Sequence, residues 1–297
     1  MITKNNEEPR PLITEHKLRM MLANDMVDAA QQLLDLNPHL QYKIEKKEDK
    51  WELVDLVFGA ELWLKKFITV DAATLEMKKD AMKASKSSYE VLIHGETGTG
   101  KECIAHAMIG DRDGAFVSIN CAGLPENLIE SELFGHTAGA FTGAIGQRQG
   151  LMATAKDGVF FMDEIGELPL QAQAKLLRVL QEKKVRMVGD KADKDISCRF
   201  VSATNKDLKD MVGRGLFRAD LYARISTIEL SIKPLVSRQC DIEPILKHIA
   251  EVLGIGQKFK DFWPIFQQAL VGGTIDLSLN VRSLERALKR WDCWGHL

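Results

Sequence analysis

The sharpest chemical signal in the chain is Gly95-Glu96-Thr97-Gly98-Thr99-Gly100-Lys101-Glu102. Glycines at this spacing let backbone N–H groups turn inward around phosphate oxygens. A helix opening behind them adds its partial positive charge, and Lys101 reaches toward the β- and γ-phosphates. The apolar run Val91-Leu92-Ile93 stands before the loop and the helical stretch 103–108 stands after it. That strand–loop–helix setting is what a phosphate loop requires. Glu102 occupies the position where Ser or Thr usually binds Mg2+, so a carboxylate there would hold the metal in a different geometry. Further on, Asp157-Gly158-Val159-Phe160-Phe161-Met162-Asp163-Glu164 reads as an apolar strand ending in two acids. Successive side chains of a strand point opposite ways, so one carboxylate can face a metal while the next faces an attacking water. Asp163 is the expected Mg2+ ligand and Glu164 the expected general base.

These groups need a scaffold, and the hydrophobic pattern supplies one. Short apolar runs recur at 89–93, 116–119, 159–162, 199–203 and 228–232, mostly separated by helical stretches such as Leu170–Glu182. Buried strands alternating with helices predict an α/β fold with a mainly parallel sheet covered on both faces. After Pro234 the strands stop, and 241–253 and 281–291 read as helices. The expected organisation is a mostly helical N-terminal segment over 1–60, an α/β nucleotide-binding domain over 61–235, and a helical lid over 236–297. Within the first segment, the charged run 43–50 reads as a solvated surface.

The bulk numbers exclude several classes. The 297 residues carry a net charge of -2, so no global positive excess asks for nucleic acid. No stretch approaches the roughly 18 apolar residues of a spanning helix. The N-terminus lacks a signal-peptide apolar region. The 5 cysteines lie scattered, with no metal-ligand spacing among them or the 7 histidines, which suits free thiols in a reducing cytoplasm. Cys121 and Cys198 read as small core residues and Trp291 and Trp294 as lid packing, while Arg148, Arg178, Arg186 and Arg199 could line a ring pore or a subunit interface but read by default as solvated surface.

Residues 90 to about 290 resemble the central AAA+ domain of sigma-54-dependent transcriptional activators, the bacterial enhancer-binding proteins. That family carries Glu after the phosphate-loop lysine, so Glu102 fits its pattern. The likeness continues through Ile119-Asn120-Cys121-Ala122, Glu130-Ser131-Glu132-Leu133-Phe134-Gly135-His136 and the signature loop Gly139-Ala140-Phe141-Thr142-Gly143-Ala144. It extends through Gln173-Ala174-Lys175-Leu176-Leu177-Arg178-Val179-Leu180-Gln181, Ala203-Thr204-Asn205-Lys206-Asp207-Leu208 and Phe217-Arg218-Ala219-Asp220-Leu221-Tyr222.

The resemblance implies an AAA+ P-loop NTPase with a five-stranded parallel sheet and a small helical lid, using ATP and Mg2+. It implies a ring, a hexamer in the family, that remodels sigma-54 RNA polymerase holoenzyme and opens promoters, with contact to promoter DNA indirect and no membrane. It also implies individual roles. Asn120 would hold Glu164 in an inactive pose, and Thr204 with Asn205 would sense the γ-phosphate. Arg218 and Arg224 would reach into the neighbouring subunit's site, and Arg282 would be the lid's sensor arginine. Gly139, Ala140, Phe141, Thr142, Gly143 and Ala144 would contact sigma-54, with Phe141 exposed near the tip.

The chain departs from the family in having Leu277-Ser278-Leu279 where Trp-Pro-Gly usually precedes Asn-Val-Arg. No helix-turn-helix is expected after the lid. The alternative is an AAA+ remodeller of another protein or nucleic-acid target, or a motor lacking its own DNA-binding domain that modulates full-length activators.

Overall fold

The computed structural model describes residues 21, 26–35, 41–47, 50–57, 59–140 and 146–296. The chain divides into two compact units, Met1–Gly59 and Ala60–Leu297.

In the first unit the helix Val27–Asp35 is followed by an antiparallel hairpin, Gln41–Lys47 with Lys50–Val57. Ile44 lies opposite Leu53 in its register. This corrects the expectation of a mostly helical segment, since the charged run 43–50 falls largely within the hairpin. Tyr42 and Ile44 repeat with a period of two, as do Trp51 and Leu53, and the intervening lysines and glutamates hide that alternation in the composition.

The second unit is built around five parallel strands: β1 (Val91–His94), β2 (Phe116–Asn120), β3 (Val159–Asp163), β4 (Arg199–Thr204) and β5 (Ile228–Ser231). Their order across the sheet is β5-β1-β4-β3-β2. Each corresponds to one of the apolar runs in the sequence. Alternation sorts their side chains. Phe160, Met162, Leu92 and Phe200 join one core with the helices Glu126–Phe134, Leu170–Glu182 and Ala219–Ile225. Val159, Phe161, Val91, Ile93 and Val201 join a second core with Ala72–Ser85 and Lys101–Ala107. A sheet buried on both faces explains the near-continuous apolar strands. Each such side chain contributes about 1.5–3 kcal/mol when withdrawn from water.

Parallel pairing has a functional consequence, because all five strands end on the same side. The loops after β1, β3 and β4 and the end of β2 therefore converge in one crevice. The remaining residues form a helical lid of Ile242–Val252, Phe259–Val271 and Val281–Trp294 around Leu246, Phe262, Phe266, Leu284 and Leu288. Trp291 packs on Phe262 at 5.2 Å between ring centroids. Trp294 is 67% exposed, which corrects its assignment to lid packing.

Arg199 also departs from expectation, since it is buried rather than solvated. Its guanidinium donates to the carbonyls of Tyr89, Ser85, Met108 and Ala84, so it closes the C-terminal ends of Ala72–Ser85 and Lys101–Ala107. Carbonyls at helix ends carry partial negative charge and accept a cation well. Burial still pulls this guanidinium down to about 10. Arg148, Arg178 and Arg186 form ion pairs with Glu132, Glu182 and Asp193 at the surface.

Candidate nucleotide site

The loop after β1 adopts the conformation its glycines allow. Gly98 and Gly100 have φ of +78° and +106°, in the left-handed region that favours glycine. Space excludes a side chain as well. A Cβ on Gly100 would meet the Phe67 ring at 2.7 Å, and one on Gly98 would meet the Leu279 carbonyl oxygen at 2.1 Å. Lys101 opens the helix Lys101–Ala107 and is buried. Its ammonium donates to the Gly95 carbonyl at 2.9 Å and lies 3.3 Å from Oε1 of Glu164. Glu102 also borders the cleft, with its side chain 76% exposed and 3.9 Å from Nε2 of His106.

Asp163 ends β3, and Glu164 follows in a left-handed conformation with φ of 51°. Burial, and then the adjacent Glu164 carboxylate, push the Asp163 carboxyl above its ordinary value. A divalent cation would remove that penalty, so the pair suits a metal. Oε2 of Glu164 accepts the Asn205 N–H at 3.1 Å, and the Asn205 amide donates to Oγ1 of Thr97 at 3.3 Å. Glu164 therefore bridges Lys101 and the end of β4. Asn120 does not hold it. The Asn120 amide lies 3.5 Å from Oδ2 of Asp163, and its own oxygen accepts the Ala122 N–H. The register explains the shift. Asn120 pairs directly with Asp163 across β2 and β3, whereas Glu164 lies one residue past the strand and turns toward β4.

A cleft of about 440 Å³ opens over these groups. Lys101, Asp163, Glu164, Asn120 and Arg282 line its polar side. Phe67, Ile68, Ile245 and Ile249, with His248, line the other. Arg282 thus faces the cleft despite the altered turn before it. Asp276 replaces the missing Pro-Gly by accepting both the N–H and the hydroxyl of Ser278, and the Asn280 N–H bonds the Leu277 carbonyl. No group of three or more His, Cys, Asp or Glu side chains placed to hold a metal occurs among the described residues. Mg2+ sites of the phosphate-bound type need only one or two carboxylates.

Arg218 and Arg224 do not line the cleft. Arg218 grips Asp220 through two hydrogen bonds of 3.0 and 2.7 Å at the surface. Arg224 donates to the Leu180 carbonyl at 3.3 Å and lies 3.5 Å from the Glu90 carboxylate. In the signature loop, Gly139 has φ of +77° with open space around it, and the Ala140 N–H bonds the Thr137 carbonyl. Phe141, Thr142, Gly143 and Ala144 lie outside the described residues. The hairpin strands Gly135–His136 and Arg148–Gln149 form the base of this loop. His136 bonds Ser131 at 2.6 Å, in keeping with a structural role. Burial pushes the Cys121 and Cys198 thiols up to about 12, so both behave as small core residues.

Sequence reasoning missed four polar residues that the structure buries completely or nearly so. Gln173 donates to the Leu168 and Leu216 carbonyls and accepts the Arg218 N–H, which ties the turn after Glu164 to the arginine. Arg238 and Asp241 form an ion pair at 2.9 Å, and Arg238 also donates to the Thr99 carbonyl of the phosphate loop. Asn280 touches the same loop. The i,i+3 spacing of Arg238 and Asp241 was legible, yet that pattern usually marks a solvated helix face.

A parallel sheet in the order 5-1-4-3-2, a phosphate loop after β1, acids after β3 and a helical lid define an AAA+ P-loop NTPase. Residues 67–231 match the Sigma-54 interaction domain family, and the chain belongs to that family of AAA+ ATPase domains. The chain is 45% identical over 192 residues to the transcriptional regulatory protein GlrR of Escherichia coli K12, covering 64% of this chain and 43% of GlrR. It is 43% identical over 223 residues to the regulatory protein LuxO of Vibrio cholerae, covering 73% of this chain and 41% of LuxO. It thus spans less than half the length of these curated relatives. Among solved structures, NtrX from Brucella abortus in complex with ATP superposes with a TM-score of 0.66 at 20% identity, covering 97% of this chain and 58% of NtrX. That likeness concerns the fold.

Proposed function

We propose that this chain is an ATP-hydrolysing motor that assembles into a ring, engages sigma-54 RNA polymerase holoenzyme and drives promoter opening. One observation carries the reading: Lys101, Asp163, Glu164 and Asn205 meet at the carboxyl ends of β1, β3 and β4. Lys101 and the phosphate-loop N–H groups would bind the β- and γ-phosphates of ATP. Asp163 would hold Mg2+, which when bound neutralises phosphate charge. Glu164 would take a proton from the attacking water, and releasing it from Lys101 and the Asn205 N–H would free its carboxylate for that work. Asn205 and Arg282 would report the phosphate state to the sheet and the lid.

Arg218 and Arg224 lie away from their own subunit's cleft, which supports their acting on a neighbour's ATP in a homo-oligomer, with the hexamer of the family as the expected ring. Phe141 and Thr142 would meet sigma-54 on a loop that starts from the strand pair Gly135–His136 and Arg148–Gln149. A soluble regulator working in the cytoplasm accords with the described residues, where no helix is long and apolar enough to cross a membrane.

The test couples turnover to output. ATP hydrolysis and open-complex formation with sigma-54 polymerase are measured for the wild type, Lys101→Ala, Glu164→Gln and Thr142→Ala. The first two lose turnover by at least about 100-fold, and Thr142→Ala keeps turnover but loses open complexes. Turnover that survives both site substitutions refutes the assignment.

A further inference from the structure

Asn280 is wholly buried, yet it sits at φ of 54° and ψ of -125°, a conformation that favours glycine. A residue with a Cβ is retained here, and its side chain shows why. The Asn280 amide nitrogen donates to Oε2 of Glu96 and to the Thr97 carbonyl, both at 3.1 Å. Its oxygen accepts the Leu235 N–H at 2.5 Å. Only acceptors face the nitrogen and only a donor faces the oxygen, so the amide has one sensible orientation. One side chain therefore joins the phosphate loop, the segment leading out of β5 and the start of the lid helix Val281–Trp294.

The backbone reinforces this join. The Val281 N–H donates to the Gly98 carbonyl at 3.1 Å. The Leu279 carbonyl fills the space where a Cβ on Gly98 would stand. Arg282 is in the first turn of the helix that begins here, and it lines the cleft. Arg282 thus lies two residues beyond the side chain that grips the phosphate loop.

We infer that Asn280 is a positioning residue of the nucleotide site, whose amide locks the first turn of the lid helix, and with it Arg282, to the phosphate loop. This rests on the ATP-binding reading given above. Asn280 makes no bond to nucleotide in this scheme. It acts through the loop it grips and the helix it starts.

The experiment is calorimetric binding of the β,γ-imido analogue of ATP to the full chain, with a thermal melt of each variant. Asn280→Gly accepts the backbone conformation without penalty and deletes only the amide. It strands the Leu235 N–H and so melts somewhat below the wild type while still folding, and it binds about tenfold more weakly, as expected for the loss of its two hydrogen bonds to the phosphate loop. Arg282→Ala alone weakens binding by a similar factor, but in the Asn280→Gly background it adds less than about twofold, because the two act as a unit. Asn280→Asp keeps the acceptor for Leu235 and sets a carboxylate against Glu96, so it binds more weakly than the glycine variant. Wild-type affinity in folded Asn280→Gly, or additive losses in the double variant, overturns the proposal. Should the glycine variant fail to fold, Asn280→Asp decides alone, and wild-type affinity there overturns it too. Absence of binding by the wild type would instead sink the nucleotide reading itself.

Discussion

Replacing Asp241 by alanine removes the most connected carboxylate in the second unit. Its oxygens accept the Thr69 hydroxyl at 2.7 Å, the Val70 N–H at 2.6 Å, the Asp71 N–H at 3.0 Å and the Arg238 guanidinium at 2.9 Å. The Arg238 and Asp241 side chains are 1% and 0% exposed, so the substitution leaves a guanidinium buried without its counter-charge. Breaking such a pair costs about 3–5 kcal/mol. The two backbone N–H groups left behind cost about 1–3 kcal/mol each unless water reaches them. The expected loss is at least about 4 kcal/mol, a large share of the roughly 5–15 kcal/mol that holds a domain together. Urea unfolding of the wild type and Asp241→Ala, followed by circular dichroism, measures it. Asp241→Ala with Arg238→Met removes the stranded charge and recovers part of the loss. A single-variant loss under about 1 kcal/mol, or a double variant worse than the sum of the singles, would refute the reasoning. Nucleotide binding should weaken alongside stability, because Arg238 also holds the Thr99 carbonyl.

Three further outcomes follow from particular contacts. His106 is stacked between Trp63 at 4.0 Å and Phe116 at 3.8 Å, and burial pulls it down to about 4 from 6.5. The unfolded chain binds its proton first, so this contribution is complete above pH 6.5 and disappears as pH falls toward about 4. It amounts to about 3 kcal/mol in that window, and His106→Phe should flatten the curve of unfolding free energy against pH; an unchanged slope would count against it. Gln173→Ala removes the acceptor of the Arg218 N–H, and turnover should fall about tenfold at ring-forming concentration while analogue binding to the isolated subunit is kept. Equal loss of binding would mean that the helix, and not the arginine, had been disturbed. Gly98→Ala should abolish analogue binding, since its Cβ would meet the Leu279 carbonyl oxygen at 2.1 Å, and calorimetry showing wild-type affinity would contradict the loop geometry.

Much of the site was readable in the chain because its signals are local. A phosphate loop needs glycines and a lysine at fixed offsets between a strand and a helix, and 95–102 contains all of them. Acids at the end of an apolar strand announce themselves in the same way at Asp163 and Glu164. The hairpin 41–57 was missed because its alternation is short and mostly charged. Arg199, Gln173, Arg238, Asp241 and Asn280 were missed or misjudged because a polar residue looks solvated until its partners are known. Those partners lie far along the chain, as Asn280 does from Glu96 and Arg238 from Thr99.

By itself, then, the sequence determined the α/β class, the five strands of the parallel sheet, the lid and the residues of the phosphate and acid motifs, since each depends on spacing within one or two elements. Only the tertiary structure decided what those residues touch. It set Asn120 against Asp163 and not Glu164, because strand register pairs residues across the sheet and the left-handed turn at Glu164 carries its carboxylate toward Asn205. It also joined the lid to the phosphate loop through buried amide and guanidinium groups. Their hydrogen bonds exist only once distant segments have packed closely enough to exclude water.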